Sequence, residues 1–264
     1  MTNKALRDLW DSRAEDRREG MKHQEFPRNN TLYEETCWRF IKPLLPPNTG
    51  RILEAGCGTG RWVYHLAPLG HRIVLSDFSP EMVRVASEEI RNRGVMENVD
   101  ACHVLDICDM HALEDESFDI ALALGGPVEL CDNQRRAVEE LRRVVKPGGY
   151  VICDVSNRYR IALDLARENN WTKAAETLYS AKSQYYTHKS FSPDEIQELF
   201  TLCGLDVLHI AAVSPFMSFP PNRDQLAALE DDTNYSTARD IFCDFSETPE
   251  MIGISSRLLI VGRR

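Results

Sequence analysis

The sequence predicts an α/β fold in which helices cover both faces of a mainly parallel sheet. From residue 51 to residue 155, short apolar segments alternate with segments of helical character, and turn residues separate them. The apolar segments are almost continuous, which is typical of strands buried on both faces. This strand–helix rhythm favours a parallel sheet over a sandwich or a bundle.

Five strands are predicted in this part, at 51–55, 71–76, 99–106, 118–124 and 150–155. Helices are expected at 60–68, after Ser79-Pro80-Glu81 and at 132–145, the last ending in the turn 146–149. Serine before proline and an early acid is typical of a capped helix start.

After residue 155 the rhythm ends. We expect helical structure at 157–182, a strand at 184–188, a capped helix from Ser192, strands at 205–213 and 253–262, and a loop with one short helix over 214–250. Two more helices are predicted at 3–19 and 31–45. The domain organisation expected is therefore an N-terminal helical cap (1–45) and a main domain (46–264) with cap insertions at 157–190 and 214–250.

Composition excludes several classes of protein. The 264 residues are 43% hydrophobic, enough for a sizeable core, and the net charge of −10 makes nucleic acid an unfavoured partner. The sequence has no apolar run of 18 residues and its first residues lack the apolar core of a signal peptide, so we expect no membrane span and a cytoplasmic location. The eight cysteines form no C-x-x-C pair, and no metal site is predicted.

A glycine-rich turn follows the first strand, with Gly56, Gly58 and Gly60 in the spacing G-x-G-x-G. Glycines at a strand–helix turn let a ligand approach the main chain, whose amides are unpaired there. A dinucleotide fingerprint requires G-x-G-x-x-G, but position 61 is Arg61, so a nicotinamide oxidoreductase is a distant alternative. A tight turn that binds nothing would show the same glycines.

Acidic residues at the ends of the next two strands make a ligand more plausible. Asp77 follows the second strand and is placed to accept hydrogen bonds from a ribose diol. Asp106 ends the third strand beside Ile107, a pair suited to the amino group and ring face of an adenine. Each acid alone is more often a helix cap or a solvated loop charge, but Glu54, Asp77 and Asp106 fall at three consecutive strand ends.

In these segments the sequence resembles the class I S-adenosylmethionine-dependent methyltransferases, over about residues 50–264. The resemblance rests on ILEAGCGTG (52–60), VLSDFSPEM (74–82), LDICDM (105–110), FDIALALGG (118–126), LRRVVKPGGYVICD (141–154), FSPDEIQELFTLCGLDVL (191–208) and SSRLLIVGRR (255–264). It implies a Rossmann-like seven-stranded sheet of order 3-2-1-4-5-7-6 with strand 7 antiparallel, and S-adenosyl-L-methionine as cofactor.

The resemblance also implies which residues hold that cofactor. Glu54 and the turn of Gly56, Gly58 and Gly60 would meet its methionine end, and the backbone carbonyls of Leu124 and Gly125 would line the same moiety. The ribose and ring contacts implied are those of Asp77, Phe78, Met82, Asp106 and Ile107.

Two residues are candidates for catalysis. Many relatives carry a histidine shortly after strand four, where this sequence has Glu129, which would serve as a base or bind a cationic substrate, or is a surface acid on a loop. His188 is a second candidate base, although a single histidine beside a strand is more often structural. Aromatic candidates for the acceptor pocket are Tyr33, Trp38, Tyr159, Trp171, Tyr185, Tyr186 and Phe216.

The function expected is in-line methyl transfer to a small-molecule acceptor, at oxygen or nitrogen. Strand four lacks the Asn/Asp-Pro-Pro-Tyr/Phe signature of enzymes that methylate exocyclic base amines. A macromolecular acceptor, protein or RNA, remains an alternative. A cofactor-binding module that has lost catalysis is an alternative of another class, because the acidic residues indicate that the cofactor binds but give no information on turnover.

Overall fold

The computed structural model describes residues 3–22, 27–180, 189–213 and 223–264. Within them, seven strands form one sheet in the order β3-β2-β1-β4-β5-β7-β6. The strands are β1 (Arg51–Ala55), β2 (Arg72–Asp77), β3 (Val99–Val104), β4 (Phe118–Ala123), β5 (Val145–Ser156), β6 (Asp206–Val213) and β7 (Arg257–Arg263). Only β7 runs antiparallel to its neighbours β5 and β6. The predicted fold class and strand order are confirmed.

Helices flank the sheet on both faces. They are α1 (Asn3–Lys22), α2 (Pro27–Ile41), α3 (Val63–Leu66), α4 (Pro80–Asn92), α5 (Pro127–Leu130), α6 (Gln134–Val144), α7 (Arg158–Arg167), α8 (Trp171–Ser180), α9 (Pro193–Leu202), α10 (Arg223–Ala228), α11 (Asp232–Asp244) and α12 (Pro249–Ile254). No helix in these ranges is long and apolar enough to cross a membrane.

The predicted helix starts at Ser79 and Ser192 are confirmed. The Ser79 hydroxyl accepts from the Met82 amide at 3.1 Å. Ser192 and Glu195 form a reciprocal capping box, in which each side chain accepts from the other residue's amide. Both serines therefore satisfy amides that the first helical turn leaves unpaired.

Two predicted elements were wrong in their extent. The helix expected at 60–68 covers only Val63–Leu66 and continues as a 3₁₀ turn, because Pro68 has no N–H for a helical hydrogen bond. The turn expected at 146–149 lies inside β5, where a register shift against β4 absorbs the extra residues and Gly148 takes a φ of 80°. Bulges of this kind keep a strand paired while inserting residues.

The prediction of a loop with one short helix at 214–250 was also wrong for the described part. This part holds α10, α11 and α12. Acidic residues that suggested a loop begin a helix instead, because the Asp231 side chain accepts from the Asn234 amide at 2.9 Å. Residues 214–222 and the strand expected at 184–188 lie outside the described residues.

The core consists of two apolar layers, one on each face of the sheet. Leu53, Ala121 and Val151 face a layer completed by α6 and α9. Ile52, Ile73 and Ile120 face the other layer, which α2, α3 and α4 complete. Since β1, β2 and β4 are buried on both faces, their carboxyl ends are held rigidly at one edge of the sheet.

The two N-terminal helices pack on different parts of this domain. Trp10 and Ala14 of α1 contact Met82 and Val85 of α4. Helix α2 packs its buried residues Cys37 and Ile41 into the second apolar layer. The division into a cap at 1–45 and a main domain from residue 46 stays a prediction.

Candidate active site

The glycine turn connects β1 to the helix behind it. Gly56, Gly58 and Gly60 have φ angles of 72°, 52° and 81°, a region that favours glycine. The amides of Gly56 and Cys57 donate to the Ser76 carbonyl at 2.7 and 2.9 Å, which ties the turn to β2. A Cβ on Gly58 would meet nothing within 4 Å, so this part of the turn faces open space.

Glu54 lies below this turn and is only 3% exposed. One carboxylate oxygen accepts from the Trp62 amide at 3.4 Å, while Oε2 has no hydrogen-bond partner among the described residues. Burial raises the pKa of Glu54 to about 8. A buried carboxylate with an unsatisfied oxygen is costly, and a cationic or hydrogen-bond-donating ligand would satisfy it.

Asp77 ends β2 and braces the glycine turn from the side. Its carboxylate accepts from the amides of Gly58 and Ser79, each at 2.9 Å. Burial raises the pKa of Asp77, against the lowering effect of these amides. Asp77, the residue predicted to contact the ribose, therefore lies beside the glycine turn.

The predicted ring contacts have different surroundings. Phe78 is half-buried, and the Arg7 guanidinium of α1 lies 5.7 Å from the centre of its ring. Met82 is 2% exposed and packs in the cluster between α1 and α4. This packing accounts for the Met82 side chain without a ligand, so its contact with an adenine stays a prediction.

Asp106 and Ile107 follow β3 at the same edge of the sheet. The Asp106 carboxylate accepts from the Cys108 amide at 2.8 Å and shapes a tight turn. Ile107 is 9% exposed and belongs to the first apolar layer. These contacts fix the position of the turn, and the adenine contact stays a prediction.

The chain beyond β4 is held by a carboxylate that the sequence analysis did not single out. Leu124 is 7% exposed and Gly125 is exposed. The amides of Gly125 and Gly126 donate to the same oxygen of Asp154, at 2.6 and 3.2 Å. The second oxygen of Asp154 accepts from the Tyr33 hydroxyl at 3.0 Å.

Glu129 lies on the short helix α5 and is 8% exposed, so it is not a surface acid. It accepts from the amide and the hydroxyl of Ser156, the latter at 3.0 Å, and its carboxylate lies 3.3 Å from the Arg257 guanidinium. Burial raises the pKa of Glu129, against the lowering effect of Arg257. His188, the other predicted base, lies outside the described residues.

Asp154 and Arg257 are the site residues that sequence reasoning missed. They form an ion pair in which the Arg257 Nε donates to Asp154. Asp154 stands near the end of β5 and could have been found by the rule that singled out Glu54 and Asp77. Arg257 gave a weaker signal, a single charge beginning an apolar strand. Because β7 is antiparallel, its first residue lies beside Ser156, at the carboxyl edge of β5.

Comparison with known sequences relates this chain to methyltransferases. Residues 53–153 match the methyltransferase domain family. A demethylmenaquinone methyltransferase from Clavibacter sepedonicus is 34% identical over 140 residues, which cover 50% of this chain and 54% of the relative. A ubiquinone biosynthesis O-methyltransferase from Cereibacter sphaeroides is 27% identical over 190 residues, covering 70% of this chain and 73% of the relative. The chain spans about half the length of the first curated relatives it matches.

Solved structures share the fold over most of the chain. A possible histamine N-methyltransferase from Thermotoga maritima superposes with a TM-score of 0.60 at 21% identity and covers 97% of this chain and 98% of its own. A geranyl diphosphate C-methyltransferase from Streptomyces coelicolor, solved with S-adenosyl-L-homocysteine, has a TM-score of 0.57 at 16% identity, covering 88% and 79%.

Three observations point to the same kind of domain. They are the match to the methyltransferase domain family, the strand order with its single antiparallel strand, and the acids at three consecutive strand ends beside a glycine turn. Residues 53–153 therefore belong to the methyltransferase domain family, and the chain shares its fold with solved S-adenosylmethionine-dependent methyltransferases.

Proposed function

We propose that this chain transfers a methyl group from S-adenosyl-L-methionine to a small-molecule acceptor, at oxygen or nitrogen. The observation that carries the proposal is the buried Glu54 carboxylate, whose Oε2 has no partner among the described residues. It lies beside a glycine turn that leaves open space at Gly58. A ligand with a cationic amino group beside this turn would satisfy the orphaned oxygen, and the methionine end of this cofactor carries such a group.

Different residues of the site would hold different parts of the cofactor. Glu54 and the glycine turn would hold the methionine end, and Asp77 the ribose hydroxyls. Asp106 and Ile107 would receive the adenine. When bound there, S-adenosylmethionine supplies a sulfonium methyl group that is already activated for transfer.

The protein's main contribution to such a transfer is to position the acceptor. An effective in-line displacement needs the acceptor atom about 3 Å from the methyl carbon and aligned with the leaving group. Helix α2 brings Tyr33 over the ends of β4 and β5, where its hydroxyl meets Asp154. The helices α7 and α8 follow directly on β5 and supply the exposed aromatic side chains of Tyr159 and Trp171.

A base is needed only for some acceptors. A neutral amine reacts through its free lone pair, whereas a hydroxyl must lose its proton. Glu129 is our proposed base for a hydroxyl, since Ser156 and Arg257 orient it and burial raises its pKa.

Charge and relatives support a small acceptor. The net charge of −10 opposes binding to a nucleic-acid backbone. Two of the relatives are, by their names, a demethylmenaquinone methyltransferase and an O-methyltransferase of ubiquinone biosynthesis. Both names refer to small molecules.

The test is to incubate the protein with methyl-labelled S-adenosylmethionine and a cell extract that has been separated into metabolite, protein and RNA fractions. We expect label in a low-mass product together with S-adenosylhomocysteine, and no label with Asp77→Ala. Label only in the protein or RNA fraction would overturn the small-molecule proposal. Binding of S-adenosylhomocysteine without turnover on any fraction would favour a binding module instead.

A further inference from the structure

The Asp154 carboxylate is completely buried and has four donors. Oδ1 accepts the amides of Gly125 and Gly126, and Oδ2 accepts the Tyr33 hydroxyl and the Arg257 Nε. An ionised carboxylate offers about four lone-pair sites, so Asp154 is saturated. This carboxylate is thus a fixed junction between β5, β7, α2 and the turn after β4.

The two amides determine which way the turn faces. In a trans peptide the N–H and the preceding C=O point in opposite directions. Because the amides of Gly125 and Gly126 point at Asp154, the carbonyls of Leu124 and Gly125 point away from it. The positive φ of Gly125, 89°, allows two successive amides to converge on one oxygen.

The order of the strands shows towards which strand these two carbonyls point. β4 lies between β1 and β5, so a carbonyl directed away from Asp154 on β5 is directed to the side of β1. Glu54 and the glycine turn lie on that side, at the end of β1. The carbonyls and the orphaned oxygen of Glu54 are therefore acceptors on the same side of β4.

Tyr33 connects helix α2 to both sides of this site. Its hydroxyl donates to Asp154 at 3.0 Å, and the guanidinium of Arg61, the residue after Gly60, lies 5.6 Å from the centre of its ring. A single side chain of α2 thus touches the chain next to the glycine turn and the carboxylate that orients the turn after β4.

We propose that Asp154 is a positioning residue that aims the Leu124 and Gly125 carbonyls at the methyl donor, and that Tyr33 couples helix α2 to this carboxylate. The inference rests on the proposed function, because the donor is the ligand named there. Neither residue acts on the reacting atoms in this role.

Tyr33→Phe is the sharpest variant, since it removes one hydroxyl and leaves the other three donors of Asp154 in place. Its matched control is Tyr64→Phe, because the Tyr64 hydroxyl has no hydrogen-bond partner among the described residues. Calorimetry with S-adenosylhomocysteine should show an affinity about tenfold weaker for Tyr33→Phe, the loss expected for a hydrogen bond to a charged group, and no change for the control. Equal affinity in Tyr33→Phe and wild type would overturn the coupling.

A spectroscopic readout tests the geometry without any ligand. The chain has 14 glycines, so a protein labelled with ¹⁵N-glycine gives few amide signals. The signals of Gly125 and Gly126 should lie downfield, as amides bonded to a carboxylate do, and should move in Asp154→Asn and in Tyr33→Phe but not in Tyr64→Phe. Unmoved signals in a folded Asp154→Asn would overturn the positioning role.

The two proposals fail in different ways. A wild-type protein that does not bind S-adenosylhomocysteine would overturn the proposed function and, with it, the ligand named in this inference. Wild-type binding with unchanged affinity in a folded Asp154→Asn would overturn this inference alone.

Discussion

Gly56 lies directly against Pro127, so that a Cβ built on Gly56 would stand 2.6 Å from the Cβ of the proline. Gly56 begins the turn after β1, and Pro127 begins α5 after β4. The two segments that would hold the methyl donor are therefore fitted closely to each other. The glycine is required here by close approach as well as by its φ of 72°.

Gly56→Ala should consequently cost more stability than Gly58→Ala. Both substitutions place a side chain at positive φ, at about 1–2 kcal/mol each. Only Gly56→Ala adds a clash with the rigid proline ring, so the total loss of unfolding free energy in this variant should be about 2–5 kcal/mol. Urea unfolding of the two variants measures this difference, and equal losses would show that the contact with Pro127 is relaxed.

The raised pKa of Glu54 makes stability depend on pH. Because burial raises its folded pKa to about 8, the group favours the folded state below its ordinary pKa of 4.5, and this contribution is lost as the pH rises towards 8. Between pH 4.5 and 8 the loss should be on the order of 3–5 kcal/mol relative to Glu54→Gln. Unfolding free energies of both proteins at pH 5.5 and 8.5 test this, and a difference that stays constant with pH would contradict it.

Ligand binding should release a proton from the same group. At pH 7 the free protein holds Glu54 mostly protonated, and a cationic amino group placed at its open oxygen favours the ionised form. Calorimetry with S-adenosylhomocysteine at pH 7, in two buffers of different ionisation enthalpy, should show proton release by the wild type. Release that is unchanged in Glu54→Gln would assign the proton to another group.

Cys108 should be the thiol that reacts first with iodoacetamide. The neighbouring Cys131 side chain and the Asn133 backbone lower the pKa of Cys108, whereas burial raises the pKa values of Cys57 and Cys153 well above the usual range. The thiolate is the reactive form, so Cys108 should be labelled before these two. Peptide mass spectrometry after partial alkylation measures the order. Cys131→Ala should slow labelling at Cys108, and unchanged labelling would contradict the role of Cys131.

Helix α1 should support the cofactor site through Asp11. The Ser79 hydroxyl donates to Asp11 at 2.5 Å, and the Ser79 amide donates to Asp77. Asp11→Ala removes the partner of this hydroxyl, so we expect a stability loss of about 1 kcal/mol and affinity for S-adenosylhomocysteine a few-fold weaker. Asp8→Ala, on the exposed side of the same helix, is the control for charge. Equal effects of both variants would attribute the loss to charge alone.

Much of the fold could be predicted because its signals are local. Apolar runs at 51–55 and 118–124 mark strands that are buried on both faces, and Ser79 and Ser192 mark helix starts by capping chemistry. The errors arose where the same short run of residues is compatible with two different local structures. Acidic residues at 230–232 fit a loop as well as a helix cap, and the glycines at 148–149 fit a turn as well as a bulge.

The sequence by itself determined the alternation of strands and helices, the glycine turn, and acids at the ends of three consecutive strands. These features depend on neighbours along the chain. Only the tertiary structure brought Tyr33 to Asp154 across 121 positions and Arg257 to Asp154 across 103. For Arg257 the physical reason is the antiparallel β7, which brings the beginning of a late strand to the edge where the parallel strands end. For Tyr33 it is the packing of α2 on one face of the sheet, and no local pattern encodes either placement.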